Sequence, residues 1–199
     1  MNNNRNITSH QITKSLASEE WELVKVNIRY PQYSNERIDK YISDIAGSFL
    51  KFAEKKLLPK AVRENSEPYS LVVIYKIVTA NKKYFSFYFD MFVSHKGEKG
   101  EVKRIPLNFD VENSTLIFPL EKIKKRAIFP LLERAAEKLS YTAPLYSDFD
   151  KRAKKYFKKN NALLSTDGIY VTYDSGILMP HDKGAVNLFV TEFDKIYNK

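Results

Sequence analysis

Three histidines and no cysteine bound the chemistry open to this chain of 199 residues. Without cysteine there is no thiolate zinc site, no iron–sulfur cluster, no disulfide and no thiol nucleophile. His10, His95 and His181 share neither a His-x-His nor a His-x-x-x-His spacing, the arrangements that place two imidazoles on one ion. His95 and His181 stand in loop-like strings that folding could bring together, with Asp182 or Glu98 as a third ligand. Two solvent-facing loop histidines are the simpler expectation, so no metal site is assigned. A serine nucleophile needs a sharp strand-to-helix elbow of the Gly-x-Ser-x-Gly kind. The nearest string is Asp174-Ser175-Gly176, which turn chemistry explains. Gly97 and Gly100 lack the rest of a phosphate-binding loop, and no Gly-Lys-Ser/Thr follows. No catalytic residue and no cofactor are therefore assigned. Paired carboxylates leave no local signature, so a hydrolase acting through the loops at 94–100 and 174–184 stays open as an alternative.

The charge balance reads first as a lysine-rich solvated surface and second as a pointer to partners. Lys and Arg number 33 against 24 acidic residues, a net +9 that favours anionic ligands such as wall polymer, lipid or nucleic acid. Two basic runs stand out, Lys122-Lys124-Lys125-Arg126 and Lys151-Arg152-Lys154-Lys155-Lys158-Lys159. Nucleic acid would use such charge with Tyr156 as a stacking ring. Tyr156 and Phe157 fall at core spacing, however, so the lysines are read as a solvated helix face and nucleic-acid binding as a secondary alternative. No run of 18 apolar residues exists, so no transmembrane segment is expected. Residues 1–20 also lack the apolar stretch of a signal peptide. The chain is thus expected to be extracytoplasmic if a leader lies outside this sequence, and cytoplasmic otherwise.

The elements that must carry these loops are legible in the periodicity. Residues 1–20 read as a disordered polar tail. Val24, Val26, Ile28 and Tyr30 alternate with polar residues as a half-buried strand ending at Pro31. From an N-cap at Ser34, Ile38, Ile42, Ile45, Phe49 and Phe52 form one helical stripe, with Pro59 at its end. Leu71–Thr79 and Phe85–Val93 read as a hairpin turning at Asn81-Lys82. A third strand carries Ile105, Leu107, Phe109 and Val111, and Pro106 places it at an edge or a bulge. Residues 119–140 read as interrupted helix, with Pro130 opening a second segment, and 147–159 as another helix. Ile169, Val171 and Tyr173, then Val186, Leu188 and Val190, complete the strands around an Asp167-Gly168 turn. Strands and helices cluster separately. That predicts an α+β fold, a mainly antiparallel sheet packed against a long N-terminal helix and a cluster of shorter helices, as one domain over 21–199.

Several strings resemble a known family in the right order. They are Val26 to Gln32 (V-N-I-R-Y-P-Q) with Ser34 to Ile38, Pro106-Leu107-Asn108-Phe109-Asp110, Leu163 to Gly168 (L-L-S-T-D-G) with Ile169, and Tyr173 through Gly184. Together they resemble the PdaC/RsiV-like extracytoplasmic domain family, the non-catalytic module of a peptidoglycan deacetylase and of a lysozyme-sensing anti-sigma factor. Family members often carry paired glycines before the histidine that stands here as His95, and an aromatic where His181 follows Pro180. The resemblance implies a binding or sensing module without an active site of its own, for an anionic cell-wall polymer or an envelope protein. Lysozyme, itself strongly basic, would be repelled by a chain of this charge. The ligand-binding residues expected on the two loops are His95, Lys96, Lys99, Tyr173, His181 and Lys183.

Overall fold

The computed structural model describes residues 7–17, 21–64, 67–96, 100–121 and 123–192. The architecture is α+β, as the clustering of elements implies. One sheet has six strands in the order β1 (Thr8–Ala17), β2 (Glu22–Gln32), β3 (Tyr69–Ala80), β4 (Tyr84–Ser94), β5 (Val102–Asp110) and β6 (Thr115–Leu116). A second has three, β7 (Ala162–Leu164), β8 (Ile169–Tyr173) and β9 (Val186–Thr191). Where one domain is expected, the chain divides into two compact units: residues 1–75 with 89–100, and residues 76–88 with 101–199. No linker composition marks the division, because the long strands β3 and β4 each contribute to both units.

In the first unit, β2 and β3 pair in parallel, Val24 opposite Tyr69 and Val26 opposite Leu71. A parallel pair needs a crossover, and helix α1 (Glu36–Phe52) supplies it, so the sheet is mixed. Ile38, Ile42, Ala46 and Phe49 are its buried face, against Val24, Val26 and Ile28 of β2 and with Phe49 edge-on to Phe89 at 5.3 Å. Burying each large aliphatic side chain contributes about 1.5–3 kcal/mol. The helix starts one residue later than Ser34. Asn35 is the N-cap and its side chain accepts from the Ile38 N–H, while Ser34 sits at φ 63°. Nor does Pro59 end the helical run. A π-helical turn, Ala53–Leu57, in which the Leu58 N–H donates to the Ala53 carbonyl, leads directly into α2 (Leu58–Glu64), and the run continues past Pro59.

Part of the segment read as a disordered tail is strand. Residues 8–17 form β1, antiparallel to β2 with Ile12 opposite Ile28 and Leu16 opposite Val24. Most of β1 is exposed. It is held by ladder hydrogen bonds, by pairs such as Lys14–Glu54 at 2.8 Å, and by one buried apolar side chain, Leu16.

In the second unit, the turn between β3 and β4 is built on Asn81, whose side-chain oxygen accepts from the N–H groups of Lys83 and Tyr84 at 2.9 and 2.7 Å. β6 pairs only with Phe109 and Asp110, which leaves Pro106 on a stretch of β5 that β6 does not reach. Pro130 does not open a helix. It lies inside α3 (Lys125–Ser140), whose buried residues Ile128, Leu132 and Ala136 run continuously past it. The region read as one helix over 147–159 is α4 (Phe149–Lys155) and a 3₁₀ turn, Lys159–Asn161. These helices cover the three-stranded sheet, whose Ile169, Val171, Leu188 and Val190 share one core with Leu132, Ala136 and Ala153.

Two consequences for stability follow. Ser86 is fully buried, and among the described residues its hydroxyl has no hydrogen-bond partner. Ser86→Ala removes that uncompensated group and should stabilise the protein by about 1 kcal/mol, read from denaturant midpoints. Acid should act the other way. Donors hold several carboxylates below their ordinary values: the Ser15 hydroxyl at Glu22, the Tyr69 hydroxyl at Glu64, the Asn113 amide at Asp110, the Arg152 guanidinium at Asp148 and the Tyr170 hydroxyl at Asp167. Each binds its proton less readily folded than unfolded. Their contribution is therefore complete above about pH 5 and is lost as pH falls through the unfolded carboxylate range near 4 towards the lower folded values. Melting temperatures followed from pH 7 to 3 should decline, most steeply below about pH 4.

Candidate functional site

The long loop between β8 and β9 is held by hydrogen bonds rather than by apolar burial alone. At its start, Ser175 is locked to the first residue of β5. The Ser175 N–H donates to the Val102 carbonyl at 3.0 Å, and the Val102 N–H donates to Ser175 Oγ at 2.7 Å. Next to it, Asp174 Oδ1 accepts from the Arg104 N–H at 2.8 Å. Arg104 is itself fixed, with its guanidinium 4.0 Å from the centre of the Tyr88 ring and Nη1 donating to Asn187 at 3.0 Å. Farther along, the Tyr146 N–H donates to the carbonyl of the fully buried Leu178 at 2.9 Å.

His181 returns over this lock. Its Nδ1 lies 3.4 Å from Ser175 Oγ, and a Cβ on Gly176 would stand 2.2 Å from its Cε1, so glycine at 176 makes room for the ring. Gly176 also takes φ +76°, a conformation that favours glycine. Around the ring is a cleft of about 240 Å³, lined among others by Lys103, Arg152, Tyr156, Ser175 and His181. Lys103 and His181 are exposed and Tyr156 is 39% exposed. Arg152 is preset: Nε donates to Asp148 Oδ1 at 2.6 Å and the guanidinium lies 4.4 Å from the centre of the Tyr146 ring. That hydrogen bond raises the pKa of Arg152. Glu101 and Asp174 also line the cleft, so charges of both signs face it.

The expected site residues have different fates. His181 is at the cleft. Lys183 lies in the same 3₁₀ turn, His181–Lys183, and pairs with Asp182 at 3.1 Å. Tyr173 is 1% exposed and its hydroxyl donates to the Ala153 carbonyl at 2.8 Å, which makes it part of the core. Burial pushes its pKa well above the ordinary tyrosine value. His95 and Lys96 belong to the first unit. His95 stacks on Tyr69 with ring centres 4.1 Å apart and planes at 4°, while the Tyr69 hydroxyl donates to Glu64 at 2.6 Å. Lys99 and Glu98 lie outside the described residues. No group of three His, Asp or Glu side chains that could hold a metal occurs among the described residues.

Sequence reasoning missed Ser175 as an anchor and Lys103 and Arg152 as lining groups. Lys103 adjoins the start of β5, about 70 residues before the loop, and no local pattern connects the two. Parts of the second basic run are committed elsewhere: Lys154 pairs with Glu133, and Lys159 donates to the Glu121 carbonyl at 2.7 Å. Lys122 lies outside the described residues.

Solved structures match this architecture, among them two of DUF3298 family proteins. A DUF3298 family protein from Pseudomonas aeruginosa superposes with a TM-score of 0.63 at 14% identity, over 93% of this chain and 90% of its own. A DUF3298 family member from Bacteroides fragilis gives 0.63 at 13% identity, over 96% and 91%. The fold is similar to theirs. At such identities the likeness concerns the fold alone. No family sequence model and no curated protein matches the chain. No helix among the described residues is long and apolar enough to cross a membrane.

Proposed function

We propose that the chain is a non-enzymatic binding or sensing module of the PdaC/RsiV-like family, acting outside the cytoplasm. Its ligand in this reading is an anionic cell-wall polymer, held in the cleft beside Ser175. The family assignment draws support from the ordered strings in the sequence and from the fold shared with DUF3298 proteins, which have the PdaC/RsiV-like fold. The observation that carries the binding reading is the use made of the Ser175 hydroxyl. It accepts a 2.7 Å hydrogen bond from the Val102 N–H in a residue only 5% exposed, so it serves as a structural anchor. A hydrolytic serine presents that oxygen to substrate, whereas here it is buried and committed to a backbone N–H. Around the anchor, Lys103 and Arg152 suit phosphate or carboxylate, Tyr156 suits the face of a sugar ring, and His181 suits a hydroxyl.

The test is co-sedimentation with purified cell walls. Lys103→Ala combined with His181→Ala should weaken binding at least fivefold. Gly176→Ala, which displaces the His181 ring without deleting it, should weaken binding in the same direction. Walls stripped of their anionic polymer should no longer retain the wild-type protein. Equal retention of the double variant would refute the cleft, and equal retention on stripped walls would refute the polymer.

A further inference from the structure

We infer a second binding site in the same unit, a groove along β9 that takes a short extended acidic peptide as an added strand. In the three-stranded sheet, ordered β7-β8-β9, β9 is the edge: its inner side pairs with β8 and no described strand lies beyond it. A groove of about 670 Å³ runs between this edge and helix α3. The consecutive residues 187 to 192 all line it. Neighbouring residues of a strand point to opposite faces, so an unbroken run can line one groove only along the strand's edge, where its backbone groups are presented.

The edge lacks the usual protection. Natural sheets blunt exposed edges with charges, proline or very short strands. The other sheet follows that rule at β1, whose sequence TSHQITKSLA is polar and carries Lys14. β9 reads VNLFVT, with no charge and no proline over six residues, and its Phe189 is 40% exposed. An unprotected edge facing a groove is the arrangement used for strand addition, in which backbone hydrogen bonds supply affinity and side-chain pockets supply selectivity.

Charge and shape define the occupant. On the α3 wall, Leu131, Ala135 and Leu139 form an apolar floor, and Arg134 and Lys138 stand one turn apart. Both cations are exposed, and neither makes an ion pair among the described residues. The single acid in the lining is Glu192, which already has a partner. A strand added here would turn alternate side chains towards α3, where apolar ones meet the floor and acidic ones meet Arg134 and Lys138. The fitting ligand is therefore a segment of about five or six residues from a partner protein, with both apolar and acidic residues at the alternate positions that face α3. This site and the Ser175 cleft have no lining residue in common.

A phage-displayed library of random octapeptides selected on the purified protein tests the inference. Selected peptides should carry apolar and acidic residues at positions two apart. As synthetic peptides they should bind Arg134→Glu/Lys138→Glu at least tenfold more weakly than wild type in fluorescence anisotropy. Both substitutions are at exposed positions, so folding should be retained and is checked by the melting temperature. Amide NMR shifts on peptide addition should concentrate at residues 187–192 and 131–139. Failure to enrich any such peptide, equal affinity for the charge-reversed variant, or shifts centred on Ser175 would each overturn the proposal. So would a dimer in sedimentation whose self-association is lost on Phe189→Lys, since a second copy would then be the occupant. Wall binding by the Ser175 cleft should be unchanged in Arg134→Glu/Lys138→Glu, which separates the two sites.

Discussion

Asn108→Leu should destabilise the protein by about 3 kcal/mol, lowering its melting temperature by roughly 6–12 °C for a chain of this size. Asn108 is 2% exposed on β5, and its amide replaces a missing strand pairing. Nδ2 donates to the Ala162 carbonyl at 2.9 Å, and Oδ1 accepts from the Leu164 N–H at 2.7 Å. These are the two ends of the short strand β7. Leucine fills similar space but leaves a buried carbonyl and a buried N–H without partners, each costing about 1–3 kcal/mol. Thr79 cannot compensate, because its hydroxyl donates to the Leu164 carbonyl and does not reach the orphaned groups. Asn108→Asp sharpens the test. At neutral pH its carboxylate can still accept from Leu164 but faces the Ala162 carbonyl with a second oxygen, so it should be as damaging as leucine. Its folded pKa is then raised above the unfolded value, so its deficit relative to wild type should shrink as pH falls through the folded value and the protonated acid donates to Ala162. A deficit independent of pH, measured against wild type at each pH, would show that the donor at Ala162 is not what matters.

What was legible in the sequence follows from what each element is made of. Strand β2 and helix α1 bury one face each, so periods of two and near 3.6 appear in the residue types. β1 is held largely through its backbone, and backbone ladders leave no mark on side-chain pattern; its ten polar and apolar residues therefore read as tail. The burial of Tyr173 was in principle readable. It shares the alternation of Ile169 and Val171, both fully buried, and a face that packs two apolar residues packs the third. The Ser175 cleft was not readable, because it depends on the end of a loop meeting the start of a strand remote in sequence. The β9 groove was half readable: the uncharged string VNLFVT marks a strand, but only sheet order shows it to be an edge.

The position of β9 rests on one glycine, and Gly168→Ala should cost about 2–4 kcal/mol. Gly168 closes the turn between β7 and β8, with the Ser165 N–H donating to its carbonyl at 2.8 Å and its own N–H donating to the Ser165 carbonyl at 3.3 Å. Its φ of +153° lies where side-chain-bearing residues are strained. A Cβ there would stand 2.2 Å from the Thr191 carbonyl oxygen and 2.8 Å from Phe189 Cε2. The phenylalanine ring can turn away; the Thr191 carbonyl belongs to the β9 backbone, opposite Ile169 in the ladder, and can yield only if the end of the strand moves. Alanine should therefore loosen the last residues of β9 before it unfolds the sheet, seen as faster amide exchange at residues 189–192 than at 186–188. Asp167→Ala is the comparison within the same turn. It removes the 2.7 Å hydrogen bond from the Tyr170 hydroxyl and one from the Ser165 side chain, both to an exposed carboxylate, and should cost about 1 kcal/mol. Similar melting temperatures for the two variants would mean that the turn tolerates a side chain at 168 and that β9 is not pinned there. A large loss confined to Gly168→Ala, together with weaker capture of acidic peptides, would tie the close backbone approach to the strand edge that the β9 groove requires.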